Sequence, residues 1–187
     1  MEKDINKALE VIRSGGVILY PTDTIWGLGC DATNAEAVER IYRIKKRSDT
    51  KSMLVLMENA ALLDRYVKEV PGIAWDLIEL TDKPMTIIYP GARNLAKNLI
   101  ASDGSIGIRI SREAFSGRLI RQFKKPLVST SANISGEPSP AMFAEISKEI
   151  RQAADYVVCF RRDDPAPASP SSIIRLGLGG QIEILRK

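Results

Sequence analysis

Between Leu19 and Asp31 the chain reads LYPTDTIWGLGCD: an apolar strand, a proline, two threonines flanking an aspartate, then an aromatic and two glycines. Hydroxyls, a carboxylate and glycines directly after a strand suit a site where backbone and side chains approach a small polar ligand closely. The same residues would also serve a turn that merely ends a strand. Three further groups could do chemistry. Lys45, Lys46, Arg47 and Lys51 cluster at the end of a helical segment and in the connection after it. Cations there complement a helix dipole or stay solvated, yet Arg47 and Lys51 in a short loop could also hold a phosphate chain. Ser129 to Gly136 (STSANISG) is dense in hydroxyls and carries Asn133. It reads as a ligand loop or as a hydrogen-bonded turn. Arg109 lies inside the apolar run IGIRI, where a guanidinium needs a partner: a protein carboxylate, or a ligand carboxylate or phosphate.

What is missing narrows the chemistry. The chain has no histidine. Ser-His-Asp and Cys-His catalysis and HExxH zinc sites are therefore excluded within it. A general base would have to be a carboxylate, a lysine, water or the substrate. There is no GxxxxGK[ST] P-loop, and Gly27-Leu28-Gly29 lacks the third glycine of a dinucleotide fingerprint. Aromatic residues are only 6% and scattered, which argues against a stacking platform for single-stranded nucleic acid. Positioning and charge neutralisation are the chemistry that remains.

The 187 residues suit one domain, 1–187, and 44% hydrophobic content supports a sizeable core. No apolar run approaches a membrane span, and MEKDINKALE does not read as a signal peptide. Cys30 and Cys159 form no motif and read as reduced thiols of a cytoplasmic protein. The net charge of +4 is compatible with an anionic ligand, nucleotide or nucleic acid.

The elements that must position these groups alternate irregularly. Helices are expected over Asp4 to Arg13, from an Asn34 cap to about Lys46, over Glu58 to Val70, around Ile73 to Leu80, over Glu113 to Phe123 and over Ala141 to Gln152. Strands are expected over Val17 to Tyr20, Ser52 to Met57, Met85 to Tyr89, Ile106 to Ile110, Leu127 to Thr130 and Asp155 to Phe160, with a terminal hairpin of Ser171 to Leu176 and Gln181 to Leu185. Asn94 to Ile100 reads as a short helix or loop, and Arg161 to Pro170 as a surface loop. Some strand pairs lack a helix between them. The pattern predicts an α/β fold with a mixed, twisted sheet and flanking helices rather than a doubly wound repeat.

Taken together, YPTDT-x-aromatic-GLG, K-x-R at the end of the next helix, the strand with Arg109, STSAN-x-SG, and Ser171 before a β-branched strand resemble the YrdC-like (TsaC) family of threonylcarbamoyl-AMP synthases. The motifs occur in family order and span nearly the whole chain, which resembles the short family type without an extra C-terminal domain. The resemblance implies a deep basic cleft and a reaction in which L-threonine, bicarbonate and ATP give threonylcarbamoyl-AMP and pyrophosphate. It implies Mg²⁺ accompanying the nucleotide, no structural metal, and a product consumed by tRNA-modification proteins acting on adenosine 37. It also implies possible binding of double-stranded RNA or tRNA. By position, Thr22, Arg109, Ser131 and Ser171 would contact threonine. Lys45, Arg47, Lys51, Ser105, Asn133 and Arg186 would contact ATP, with Arg47 and Lys51 on the triphosphate. Departures from the pattern are Lys46-Arg47-Ser48 for a frequent G-R-P, Leu56 where many members carry histidine, Ser172 for threonine, and Arg175 where an acidic residue is usual. They keep two other readings open: an RNA-binding relative without adenylation activity, and an enzyme for a different carbamoyl or nucleotide substrate.

Overall fold

The apolar spacing of the first segment folds as expected. Helix α1 (Glu2–Arg13) buries Ile5, Ala8, Leu9 and Ile12. It packs against α5 (Ala114–Phe123), which is capped by Glu113 through Phe115 N–H and Ser116 N–H. Helix α2 (Ala35–Ile44) starts where Asn34 Oδ1 accepts from the N–H groups of Glu36 and Ala37. Helices α3 (Leu63–Tyr66), α4 (Ile73–Leu80) and α6 (Lys148–Ala153) are shorter. This computed structural model describes residues 1–46, 53–165 and 168–187.

The strands are β1 (Ile18–Tyr20), β2 (Gly27–Gly29), β3 (Leu54–Met57), β4 (Met85–Tyr89), β5 (Ile106–Ile110), β6 (Leu127–Ser131), β7 (Tyr156–Val157), β8 (Ser172–Leu176) and β9 (Ile182–Arg186). Among the described residues they form one sheet in the order β7-β1-β2-β6-β3-β5-β4-β8-β9. The β1/β7, β3/β5 and β4/β8 pairs are parallel and the others antiparallel, so the sheet is mixed, as the irregular alternation predicted. Register fixes which residues share a face. Leu54 lies opposite Ser129, Leu56 opposite Arg109, and Thr86 opposite Ile173. A side chain on Gly107 would meet Thr86 and Leu54, which puts that position on the same face.

The structure departs from expectation in four places. Strand β2 has no strand-like sequence signal, because glycine packs nothing and is a poor strand former. It is required because only glycine fits. A Cβ on Gly29 would lie 2.5 Å from Tyr20 Cε1 and 2.7 Å from Val128 O, and one on Gly27 would lie 3.1 Å from Thr130 O. The segment from Glu58 to Val70 is not one helix. Asn59 caps a 3₁₀ turn at Ala60–Leu62, α3 follows, and Val67 leaves to bridge Ala92. Ala141 to Gln152 is likewise divided. Glu145 Oε2 accepts from the N–H groups of Ala141 and Met142, and Ser147 caps α6 afresh. The Asp155 to Phe160 strand shortens to β7, because Asp155 Oδ2 instead accepts Val17 N–H at 2.7 Å and Asp4 Oδ1 accepts Cys159 N–H at 2.8 Å.

Two consequences can be measured. Gly29→Ala forces a Cβ onto a ring and a backbone carbonyl and should destabilise the protein by about 1–3 kcal/mol in urea unfolding. Asp155 joins the start of β1 to α2 through Arg40, whose Nη1 lies 2.8 Å from its Oδ2. Its hydrogen bond with Arg40 holds the carboxyl below its ordinary range, against partial burial. A depressed folded-state pKa gives stability that is present above the unfolded value of about 3.9 and lost as pH falls through the folded value. Asp155→Asn should therefore flatten the fall in Tm below about pH 4 relative to the native chain.

Candidate active site

Strands β3, β5, β6, β8 and β9 border one cavity of about 220 Å³, with polar side chains from β5, β6 and β9. Its walls include Thr24, Trp26 and Gly27 from the opening stretch, Leu54 from β3 and Arg109 from β5. Ser129, Thr130 and Ser131 from β6, Ser139, Ser171, Ile173 and Arg186 complete it. The cation-rich half is built locally. Arg186 Nε donates to Ser171 O at 2.7 Å, which ties the end of β9 to the start of β8. The Ser171 hydroxyl pairs with Thr86 Oγ1 at 2.8 Å, and both residues are 2% exposed. Burial, with the neighbouring charge of Arg109, lowers the Arg186 guanidinium below its ordinary value. An arginine stays charged under such shifts, so the cavity holds two adjacent positive charges and favours an anion.

Arg109 is 3% exposed, and its Nη2 lies 3.0 Å from Asp23 Oδ1. Burial pushes the Asp23 carboxyl up, and Arg109 opposes that shift without cancelling it. The Arg109 Nε is buried without a hydrogen-bond partner. Leu56, across from Arg109 in the register, is fully buried in the core and does not line the cavity. Arg175 faces Glu183 at 3.6 Å on the β8–β9 hairpin, an exposed pair outside the cavity.

The structure divides the expected site residues. Arg109, Ser131, Ser171 and Arg186 converge on one cavity. Thr22 does not line it. Its hydroxyl donates to Ile25 O at 2.8 Å and accepts Thr24 N–H at 3.1 Å, so it closes the turn that brings Thr24 to the wall instead. Lys45 is 2% exposed, and its Nζ donates to Ser131 O and Asn133 O at 2.6 Å each. It clamps the STSAN loop from behind rather than lining the cavity. Asn133 turns into that loop: Oδ1 lies 3.3 Å from Lys45 Nζ, and Nδ2 donates to Glu137 O at 2.6 Å. Ser105 is held in its turn, its N–H and Oγ both donating to Asp103 Oδ1. It lies outside the cavity, in the turn immediately before the strand that carries Arg109. Arg47 and Lys51 fall outside the described residues.

Of the two threonines in the opening stretch that could reach a ligand, Thr24 is the one on the wall, while Thr22 closes the turn behind it. Sequence reasoning missed Ser139 as a wall residue, and the sequence around it gave no signal for that place. Among the described residues no group of three or more His, Cys, Asp or Glu could hold a metal ion, and no helix is long and apolar enough to cross a membrane.

Comparisons with known proteins agree with this geometry. The Sua5/YciO/YrdC family model, described as telomere recombination, matches residues 10–187. A threonylcarbamoyl-AMP synthase of Pseudoalteromonas translucida is 32% identical over 185 residues, covering 97% of each chain. One of Bos taurus is 36% identical over 97% of this chain and 67% of its own. The structure of E. coli YciO superposes with a TM-score of 0.85 at 26% identity, covering 100% of this chain and 90% of that one. The threonine complex of P. abyssi Sua5 superposes with a TM-score of 0.83 at 24% identity over 94% of this chain and 52% of that one, a likeness of fold. With a mixed sheet of the same architecture and a family match running through to its last residue, this chain belongs to the Sua5/YciO/YrdC family.

Proposed function

We propose that this chain makes threonylcarbamoyl-AMP and pyrophosphate from L-threonine, bicarbonate and ATP, a nucleotidyl transfer that supplies the modification of tRNA adenosine 37. The observation that carries this reading is the pair of guanidinium groups, Arg109 and Arg186, in one hydroxyl-lined cavity with the STSAN loop. The relatives named for this activity align over nearly the full length of the chain.

The reaction asks little of a protein base after its first step. The threonine amine condenses with bicarbonate to a carbamate, losing water. A carbamate oxygen then attacks the α-phosphorus, a new P–O bond forms, and pyrophosphate leaves with the electrons of the bond that breaks. The nucleophile is anionic, so a chain without histidine can promote this by holding its reactants in line and neutralising charge. Arg109 would receive the threonine carboxylate, as a bidentate partner of planar anions. Ser171 and Ser131 supply neighbouring hydroxyls at the amino-acid end, and Arg186 a cation toward the nucleotide. Lys45 acts indirectly, by fixing the carbonyls of Ser131 and Asn133. Arg47 and Lys51 are proposed for the triphosphate. Mg²⁺ would arrive on the nucleotide and neutralise phosphate charge there.

Three measurements test the reading. Pure protein with ATP should release pyrophosphate only when threonine and bicarbonate are both present, and a mass corresponding to the mixed anhydride should appear. ATP turnover indifferent to threonine would sink the proposal. A panel of amino acids in the same assay decides whether Leu56, standing beside Arg109, accompanies another substrate. Arg186→Ala should lower kcat/KM for ATP by about a hundredfold while leaving the far-ultraviolet circular dichroism unchanged.

A further inference from the structure

We infer that Asp23 is a positioning residue for substrate binding. From outside the cavity it holds the Arg109 guanidinium so that the remaining N–H edge faces an amino-acid carboxylate. The inference rests on the proposal that Arg109 receives that carboxylate.

Three observations support it. First, the two members of the ion pair belong to different spaces. Arg109 lines the 220 Å³ cavity and Asp23 does not. Asp23 instead lines a second cavity of about 180 Å³, whose walls include Tyr89, Ile108 and Ile110. Neighbours along β5 point to opposite faces, so Ile108 and Ile110 put this second cavity on the other side of the sheet from Arg109. The pair is the partition between the two, and Asp23 grips the guanidinium from the far side. Second, the grip is an ion pair that leaves hydrogen-bonding capacity unused. Nη2 lies 3.0 Å from Asp23 Oδ1, yet neither Asp23 Oδ1 nor Arg109 Nε has a hydrogen-bond partner. Unmade hydrogen bonds in a buried pair are costly, and an anion on the cavity side of the guanidinium would add partners to it. Third, Asp23 is itself placed by its neighbours. Thr22 Oγ1 closes the turn on Ile25 O, and Arg161 Nη1 donates to Thr22 O at 3.0 Å from the other end of the chain. Arg161 is itself held by Asp164 at 3.0 Å and Glu113 at 3.5 Å, so the turn that carries Asp23 is tied to a fixed cation.

The competing physical effect is competition. A carboxylate on Arg109 could weaken a ligand carboxylate by sharing the same cation. The geometry favours positioning, because Arg109 lines the cavity while Asp23 meets its guanidinium from outside it.

Calorimetric titration of L-threonine, and separately of ATP, into the native chain, Asp23→Asn, Asp23→Glu, Arg109→Lys and the Asp23→Asn/Arg109→Lys double variant tests this, with a thermal melt of each. Asp23→Asn should weaken threonine about tenfold and leave ATP affinity within about twofold; Asp23→Glu, which keeps the charge but displaces it, should weaken threonine about threefold. The double variant should be no weaker than the worse single one, because the two residues act as a unit. Threonine binding that is unchanged or tighter in Asp23→Asn, or losses that simply multiply in the double variant, would overturn the inference. A loss in Arg109→Lys with none in Asp23→Asn removes the role of Asp23 alone. No loss in Arg109→Lys removes the carboxylate reading of Arg109 itself. If Asp23→Asn does not fold, Asp23→Glu carries the test, and native threonine affinity in that variant overturns the inference.

Discussion

A guanidinium in the middle of an apolar strand is the constraint around which this sheet is arranged. Arg109 sits on β5, between β3 and β4, and is almost fully buried. Stranding such a charge by removing its counter-ion typically costs about 3–5 kcal/mol. The chain answers by sending the loop after β1 across the end of β5, so that Asp23 meets Arg109. That route brings β2 in beside β6, and it fills the gap with glycines because Tyr20 and the β6 backbone leave no room for a Cβ. The cavity is the space that remains on the side of Arg109 that Asp23 does not reach.

The same economy appears in the STSAN loop. A lysine at the end of α2 is buried to serve two backbone carbonyls, and Asn133 folds into its own turn. Side chains that sequence logic would send to a ligand are spent on holding the backbone. Ser131, between them, is left to face the cavity. A catalyst that works by positioning needs such a rigid frame, since its contribution falls when reacting groups move by an ångström.

Much of the fold was legible because it rests on local physics. The spacing of Ile5, Ala8, Leu9 and Ile12, the Asn34 cap, and the apolar runs of β4, β5 and β8 each specify an element without reference to the rest. Errors fell where side-chain hydrogen bonds compete with helix continuation, as at Asn59, Glu145 and Ser147, and where a strand is made of glycine. Of the site, Arg109, Ser131, Ser171 and Arg186 were legible and converge. Thr22, Lys45, Asn133 and Ser105 were legible as polar groups, but the direction each side chain takes was not.

The sequence by itself determined the chemistry available: no imidazole, one arginine in an apolar strand, and hydroxyls gathered at strand ends. It also determined the mixed alternation of elements, because periodicity is a local property. Only the tertiary structure decided which polar groups face the cavity and which brace it. That choice depends on long-range partners, such as Asp23 for Arg109, Lys45 for Ser131 and Asn133, and Arg161 for Thr22. A buried polar group satisfies whichever neighbour the fold supplies, and that neighbour is distant in sequence.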